Sequence, residues 1–138
     1  KFIMKNTKQI LVIRKDLNMR KGKMIAQGSH ASLAPILNSG TFSNDNSSLT
    51  ISLKDSNGEF TALGLWITGR FKKITVYVNS ESELLELHQK VKDANILCAL
   101  IQDAGLTEFN GIPTYTALSI GPEFEETLDP HTKHLPLL

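Results

Sequence analysis

The sequence predicts an α/β sandwich built on a mixed four-stranded sheet, with an inserted β-hairpin. Short apolar runs rich in β-branched residues (QILVIR from Gln9, KKITVYV from Lys72, ALIQ from Ala99 and TYTALSI from Thr114) alternate with segments of helical period. About ten residues join the last two runs, fewer than the dozen a parallel crossover normally takes, so that pair reads as antiparallel.

The elements follow in order. Gln9 to Arg14 is a buried strand, and Asp16 to Met19 a loop. Lys21 to about Asn38 is a helix with apolar positions Met24, Ile25, Ala31, Leu33, Ile36 and Leu37. Gly28 and Ala31 leave it thin enough for another element to approach. Pro35 has no N–H, which predicts a kink or an early end. Ser39 to Ser48 is loop chemistry. Leu49–Leu53 and Glu59–Leu63 flank Asn57-Gly58 and read as a hairpin. Trp66, the one tryptophan, follows in Gly64–Gly69 and is expected on the core. Ser80 with Glu83 forms a capping box for a helix to about Asn95, whose apolar face is Leu84, Leu85, Leu87 and Val91. His88 on it reads as solvated. Glu123 to about Leu128 is a last short helical segment broken by Pro130, with His131 and His134 at the surface.

At 138 residues the chain fits a single domain over 1–138, with 41% hydrophobic and 21% charged residues. A net charge of +1 gives no global basic field. Arg14, Lys15, Arg20, Lys21 and Lys23 against Asp16 nevertheless form a local basic patch, which charge alone reads equally as a solvated loop. Cys98 is the one cysteine, so no intrachain disulfide is available, and its apolar surroundings suit a buried thiol. There is no CxxC or HExxH spacing to support a metal site. No apolar run suits a bilayer span, and the first residues lack a secretory stretch. The expectation is a reducing, cytoplasmic setting, and Lys1 suggests a trimmed start.

Two segments carry candidate chemistry. In MRKGKMIAQGSHA, from Met19, the side chains of Lys23, Gln27 and His30 fall at i, i+4 and i+7 on one helical face. A solvated helix face satisfies that spacing equally well. Asp103 stands where a strand gives way to a glycine turn, a position where α/β sheets collect sites. An Asp that bonds its own turn backbone is the plainer reading. Thr107 reads as a turn cap or a ligand, and Thr114 and Thr116 are expected on one face of the last strand.

Together, ILVIRKDLNMRKGKMIAQGSHAS, KKITVYVNSESELLEL, CALIQDAGLTEF, TYTALSIGP and the closing HTKHLPLL resemble the type-2 peptidyl-tRNA hydrolase family. The lysine-glycine-lysine helix start with AQxxHA and the DAGxT turn carry the resemblance jointly. It implies a three-layer α/β/α sandwich with helices on both faces of the sheet. It also implies hydrolysis of the ester joining a peptide to the terminal ribose of tRNA. No metal or organic cofactor is implied, and members are often homodimers. The family's functional lysine matches Lys23, its carboxylate Asp103 and its two threonines Thr107 and Thr116. Gln27 and His30 match the polar helix positions beside them, and Arg14, Arg20 and Lys21 match basic positions that meet phosphate.

Two stretches depart from the family pattern. Where members have a helix leading into the second strand, residues from about 40 to 63 form a polar loop and the hairpin, read as an insertion. The turn after Thr107 is one residue longer, with Pro113 where glycine is common, which leaves the placement of Thr107 against Thr116 open.

A mechanism consistent with these residues has Asp103 orient or deprotonate a water while Lys23 stabilises the oxyanion and keeps Asp103 ionised. The two threonines would bond the ester or ribose, and Gln27 would fix the lysine or the carbonyl. With no serine or cysteine nucleophile in evidence, direct attack by water fits better than a covalent intermediate. The rival readings are a catalytically silent RNA-binding or interaction module on the same fold, and a hydrolase of another acyl ester.

Overall fold

The computed structural model describes residues 5–138, so Lys1 and its reading as a trimmed start lie outside the described residues. The strands are β1 (Thr7–Arg14), β2 (Gly40–Phe42), β3 (Leu49–Ile51), β4 (Lys73–Val78), β5 (Cys98–Asp103) and β6 (Thr114–Phe124). The helices are α1 (Lys21–Asn38), α2 (Ala62–Thr68), α3 (Glu81–Asp93) and α4 (Glu125–Thr132). The main sheet has the order β4-β1-β6-β5. β1 and β4 run parallel, while β6 is antiparallel to both β1 and β5. The mixed sheet and the antiparallel final pair are as expected.

Alternation along β1 sorts the core into two faces. Ile10 and Val12 join Val76, Val78, Leu118 and Ile120 beneath Leu84, Leu87 and Val91 of α3 and Leu128 of α4. Leu11 and Ile13 join Ala117 beneath Ala31 of α1. Helices therefore cover both faces. On the α1 side, fully buried Gln9 pins the helix to the sheet: its amide nitrogen donates to the Ser32 carbonyl (2.9 Å), and its amide oxygen accepts from the Ser32 hydroxyl (2.5 Å).

α3 starts as its capping box predicts. The Ser80 hydroxyl accepts from the Glu83 N–H at 3.1 Å, and the Glu83 carboxylate accepts from the Asn79 N–H at 3.2 Å, one residue earlier than in the standard box. Pro35 neither kinks nor ends α1 early: it lies in the last turn, and the helix runs on to Asn38. Pro130 likewise sits inside α4 instead of breaking it.

The hairpin is present, but its arms are not the expected ones. Leu49–Ile51 pairs backwards with Gly40–Phe42, while the Asn57-Gly58 turn closes a single bridge, Lys54 to Phe60. The second expected arm turns helical because the Thr61 hydroxyl accepts from the Gly64 N–H (3.0 Å) and caps α2. The tip of the real hairpin lies in the polar stretch read as loop. There Asp45 accepts from the Ser43 and Ser47 hydroxyls, and these bonds, that of Ser47 foremost, hold its pKa down to about 2. A helix does lead into the second central strand after all. It is α2, and it buries Trp66, whose indole N–H donates to the Lys72 carbonyl at 2.8 Å.

Two glycines behave oppositely. A methyl at Gly64 would lie 2.0 Å from the Leu53 carbonyl oxygen, so α2 packs there backbone to backbone. At Gly28 a methyl would meet Leu11 Cδ1 at 4.0 Å, an ordinary contact, so α1 does not need glycine there for another element to approach. Gly64→Ala is expected to destabilise the fold by about 1–3 kcal/mol through overpacking. Gly28→Ala is expected to stabilise it by about 0.5–1 kcal/mol through helix propensity. Urea unfolding of both variants checks the pair, and wild-type stability in Gly64→Ala would refute the close packing.

Candidate functional site

α1 and β5 meet at the carboxyl end of β5, and the chemistry gathers there. Lys23 Nζ lies 2.9 Å from Asp103 Oδ1 and donates to Thr107 Oγ1 at 3.2 Å. Both side chains of the ion pair are mostly withdrawn from solvent. The Phe109 ring lies 5.8 Å from the ammonium. Gln27, one helical turn after Lys23, donates from its amide nitrogen to Asp103 Oδ1 at 3.3 Å. Its amide oxygen accepts from the Thr116 hydroxyl at 2.5 Å. Thr116, Gln27, Asp103, Lys23 and Thr107 are thus one connected chain of hydrogen bonds.

Asp103 satisfies two readings at once. Its Oδ2 accepts from the Gly105 N–H at 2.8 Å, which is the turn bond a local reading expects, and its Oδ1 faces Lys23. Gly105 has φ +82°, and a methyl there would lie 2.1 Å from the Ile112 carbonyl oxygen, so the turn requires glycine. Gly105 was not among the candidate site residues. The Asp-x-Gly spacing was the signal that could have singled it out. The Lys23 hydrogen bond, followed by the Gly105 and Gln27 bonds, holds the Asp103 carboxyl below its ordinary pKa, outweighing the opposing effect of burial.

Thr114 and Thr116 flank Tyr115 on one face of β6: Thr114 pairs with Asp103, which reaches Lys23 of α1, and Thr116 reaches Gln27 of α1. Ile101 pairs with Ala117 but Gln102 pairs with Tyr115, so β6 bulges at Thr116. The extra residue turns Thr116 onto the α1 side, where it is fully buried and reaches only Gln27 among the candidates. Thr114 instead donates to the Ile112 carbonyl. Gln27 fixes the carboxylate, not the lysine.

The remaining candidates are placed as follows. His30 is exposed on α1 and makes no hydrogen bond to the cluster among the described residues. Arg14 is 8% exposed; its guanidinium donates to both Asp16 oxygens, at 3.2 and 2.7 Å, and to the Tyr115 carbonyl at 3.0 Å. It is committed inward. Lys21 and Lys15 are exposed, and Arg20 is exposed with a long contact of 3.8 Å to Glu108. Among the described residues no group of three or more His, Cys, Asp or Glu gathers to hold a metal ion.

Because the folded-state pKa of Asp103 lies below the unfolded one, its contribution to stability is complete above the unfolded pKa. It is lost as pH falls through the depressed value. The stability gap between wild type and Asp103→Asn is therefore expected to close as pH falls below about 4. Chemical denaturation across pH reads it, and a gap that stays constant into strong acid would separate that charge from stability.

A sequence model of the family described as "Peptidyl-tRNA hydrolase PTH2" matches residues 7–138. The chain is 39% identical over 131 residues to a peptidyl-tRNA hydrolase of Methanocaldococcus jannaschii, covering 95% of this chain and 99% of that protein. It is 38% identical over 133 residues to one from Methanothermobacter thermautotrophicus, covering 95% and 99%. A probable peptidyl-tRNA hydrolase 2 of Dictyostelium discoideum is 39% identical over 132 residues, covering 94% of this chain and 54% of that protein. With a family match across nearly its whole length and relatives of this identity, the chain belongs to the peptidyl-tRNA hydrolase PTH2 family.

Proposed function

We propose that this chain hydrolyses the ester between a peptide and the terminal ribose of tRNA, with Lys23 and Asp103 at the centre of the reaction. The observation that carries the roles is the 2.9 Å contact between Lys23 and Asp103, with Thr107 on the same ammonium at 3.2 Å. Water attacks the ester carbonyl carbon. The new C–O bond forms, the bond to the ribose oxygen breaks, and the water's proton ends on the released ribose hydroxyl. Asp103, ionised and low in pKa, is suited to orienting the water more than to holding its proton. Lys23 stabilises the oxyanion, and Thr107 positions the ester or ribose. Gln27, held by Thr116, keeps the carboxylate in place. His30 lies beside this group on the same helix and offers an exposed polar contact to the substrate.

Asp103 already has Lys23, Gln27 and the Gly105 N–H on its oxygens, which supports a reaction without a metal ligand at this carboxylate. The phosphate-facing cations in this reading are Lys15, just after β1, and Arg20 and Lys21 at the start of α1, where a helix N-terminus also favours anions. Arg14 shapes that surface from beneath through Asp16. The reading includes a single domain with its insertion at about 40–63, a homodimer and a cytoplasmic setting for a translation-linked reaction. The outer edge of β5, without a strand partner among the described residues, supports pairing with a second copy. No helix among the described residues is long and apolar enough to cross a membrane.

Release of tRNA from N-acetyl-aminoacyl-tRNA, measured with EDTA present, tests the reading. Lys23→Ala and Asp103→Ala are each expected to lose about 100- to 1,000-fold in kcat. Near-normal turnover in folded Asp103→Ala would remove Asp103 from the chemistry, and loss of wild-type turnover in EDTA would overturn the metal-free reading. Affinity for tRNA is expected to fall steeply with salt, and Arg20→Ala with Lys21→Ala should flatten that slope by about one to two units. An unchanged slope would place the tRNA elsewhere.

A further inference from the structure

The flank of α1 turned away from the site borders an open apolar groove of about 800 Å³. Its floor is the sheet itself, at Leu11, Ile13 and Thr75. On this side α1 packs along β1, β5 and β6, and the short α2 packs on β1 and β6. On the α1 side the outer strand β4 is met only near its start, by Trp66 of α2, whereas Val76 and Val78 share a core with Leu84 and Leu87 of α3 on the other face. The wall of the groove carries Ile25 and Leu33, which are 70% and 55% exposed.

The charged side chains that line the groove are all of one sign. Lys21 stands at one end, beside the start of α1. Lys73 stands at the other, because it pairs with Gln9, and Gln9 bonds Ser32 far along the helix. Neither lysine has a carboxylate partner among the described residues, and no acidic side chain lines the groove. Lys73 Nζ rests 3.3 Å from the centroid of the Phe71 ring, and desolvation lowers its pKa. Along α1 the groove runs from Lys21 to Ile36, about 22 Å or four helical turns.

We propose that this groove docks an amphipathic helix of a partner protein, with its apolar stripe along Ile25 and Leu33 and an acidic residue near each end facing Lys21 and Lys73. The groove has the length of about four helical turns, and helix-in-groove binding reads apolar anchors at helical spacing. A second copy of this chain is disfavoured as the occupant. A two-fold contact through this face would set the same lysines against each other with no acidic side chain from either groove.

The test uses a fluorescein-labelled peptide of about 16 residues, with leucines at helical spacing and glutamates at both ends, and a twin with lysines at the ends. Fluorescence anisotropy with the full chain should show the glutamate peptide binding at least about tenfold more tightly than its twin. Ile25→Glu with Leu33→Glu, both at exposed positions, should abolish binding. Lys73→Glu should remove most of the preference between the peptides, because Lys21 keeps its charge at the other end. Hydrolysis of N-acetyl-aminoacyl-tRNA by Lys73→Glu should stay at the wild-type level, since Lys73 lies across α1 from Lys23. Equal affinity of the wild type for the two peptides, no binding of either, or an undiminished preference in Lys73→Glu would overturn the proposal. So would sedimentation showing a wild-type dimer that the Ile25→Glu and Leu33→Glu variant dissociates, because the groove would then be a contact between copies of this chain.

Discussion

The contact between Lys23 and Asp103 joins residues 80 apart in sequence, and the organisation of the site depends on it. α1 is a poorly started helix by local rules. It has no side-chain N-cap and no acid in its first turn, and it opens with Lys21 and Lys23 at the positive end of the helix dipole. Each of those choices opposes helix formation by a few tenths of a kcal/mol to about 1 kcal/mol. The Asp103 carboxylate, delivered from the end of β5, offsets the charge locally. The arrangement favours a functional geometry over local helix preference, as sites often do.

Rigidity reaches the pair through two separate devices. From the strand side, the Gly105 turn fixes one carboxylate oxygen by a backbone bond. From the helix side, Gln27 can serve as a spacer only because its two amide ends have different partners, a carboxylate and a hydroxyl. That assignment leaves the amide a single sensible orientation. The hydroxyl is available only because the bulge in β6 turns Thr116 toward α1. A regular strand would have sent that side chain to the opposite face, against α3 and α4.

Much of this was legible in the sequence because it rests on periodicity. The four core strands, the span of α1 and the cap of α3 follow from patterns local to each segment. The grouping of Lys23, Gln27, Asp103, Thr107 and Thr116 came from the family resemblance, and the structure brings these five together. What was not legible depends on register and tertiary competition. The arms of the hairpin were misplaced because Thr61 prefers to cap a helix and the serines around Asp45 build their own turn. The bulge that sets Thr116 beside Gln27 leaves no mark in residue type. Arg14 reads as surface charge in a basic run, yet Asp16 two residues on and the Tyr115 carbonyl draw it inward. Spacing alone could not separate His30 from Gln27, although only Gln27 is buried against the sheet.

The end of the chain adds a constraint of another kind. Residues 136–138 lie along the outer edge of β4: the Tyr77 N–H donates to the Pro136 carbonyl, Leu137 bridges Val76, and the Leu138 N–H donates to the Thr75 carbonyl. A sheet with two open edges can add copies of itself without limit, the route by which edge strands seed fibres. With β4 covered, β5 is the remaining open edge of the main sheet among the described residues. Strand-to-strand association through it would close after two copies, and the ordered tail at β4 acts as a chain terminator for sheet polymerisation.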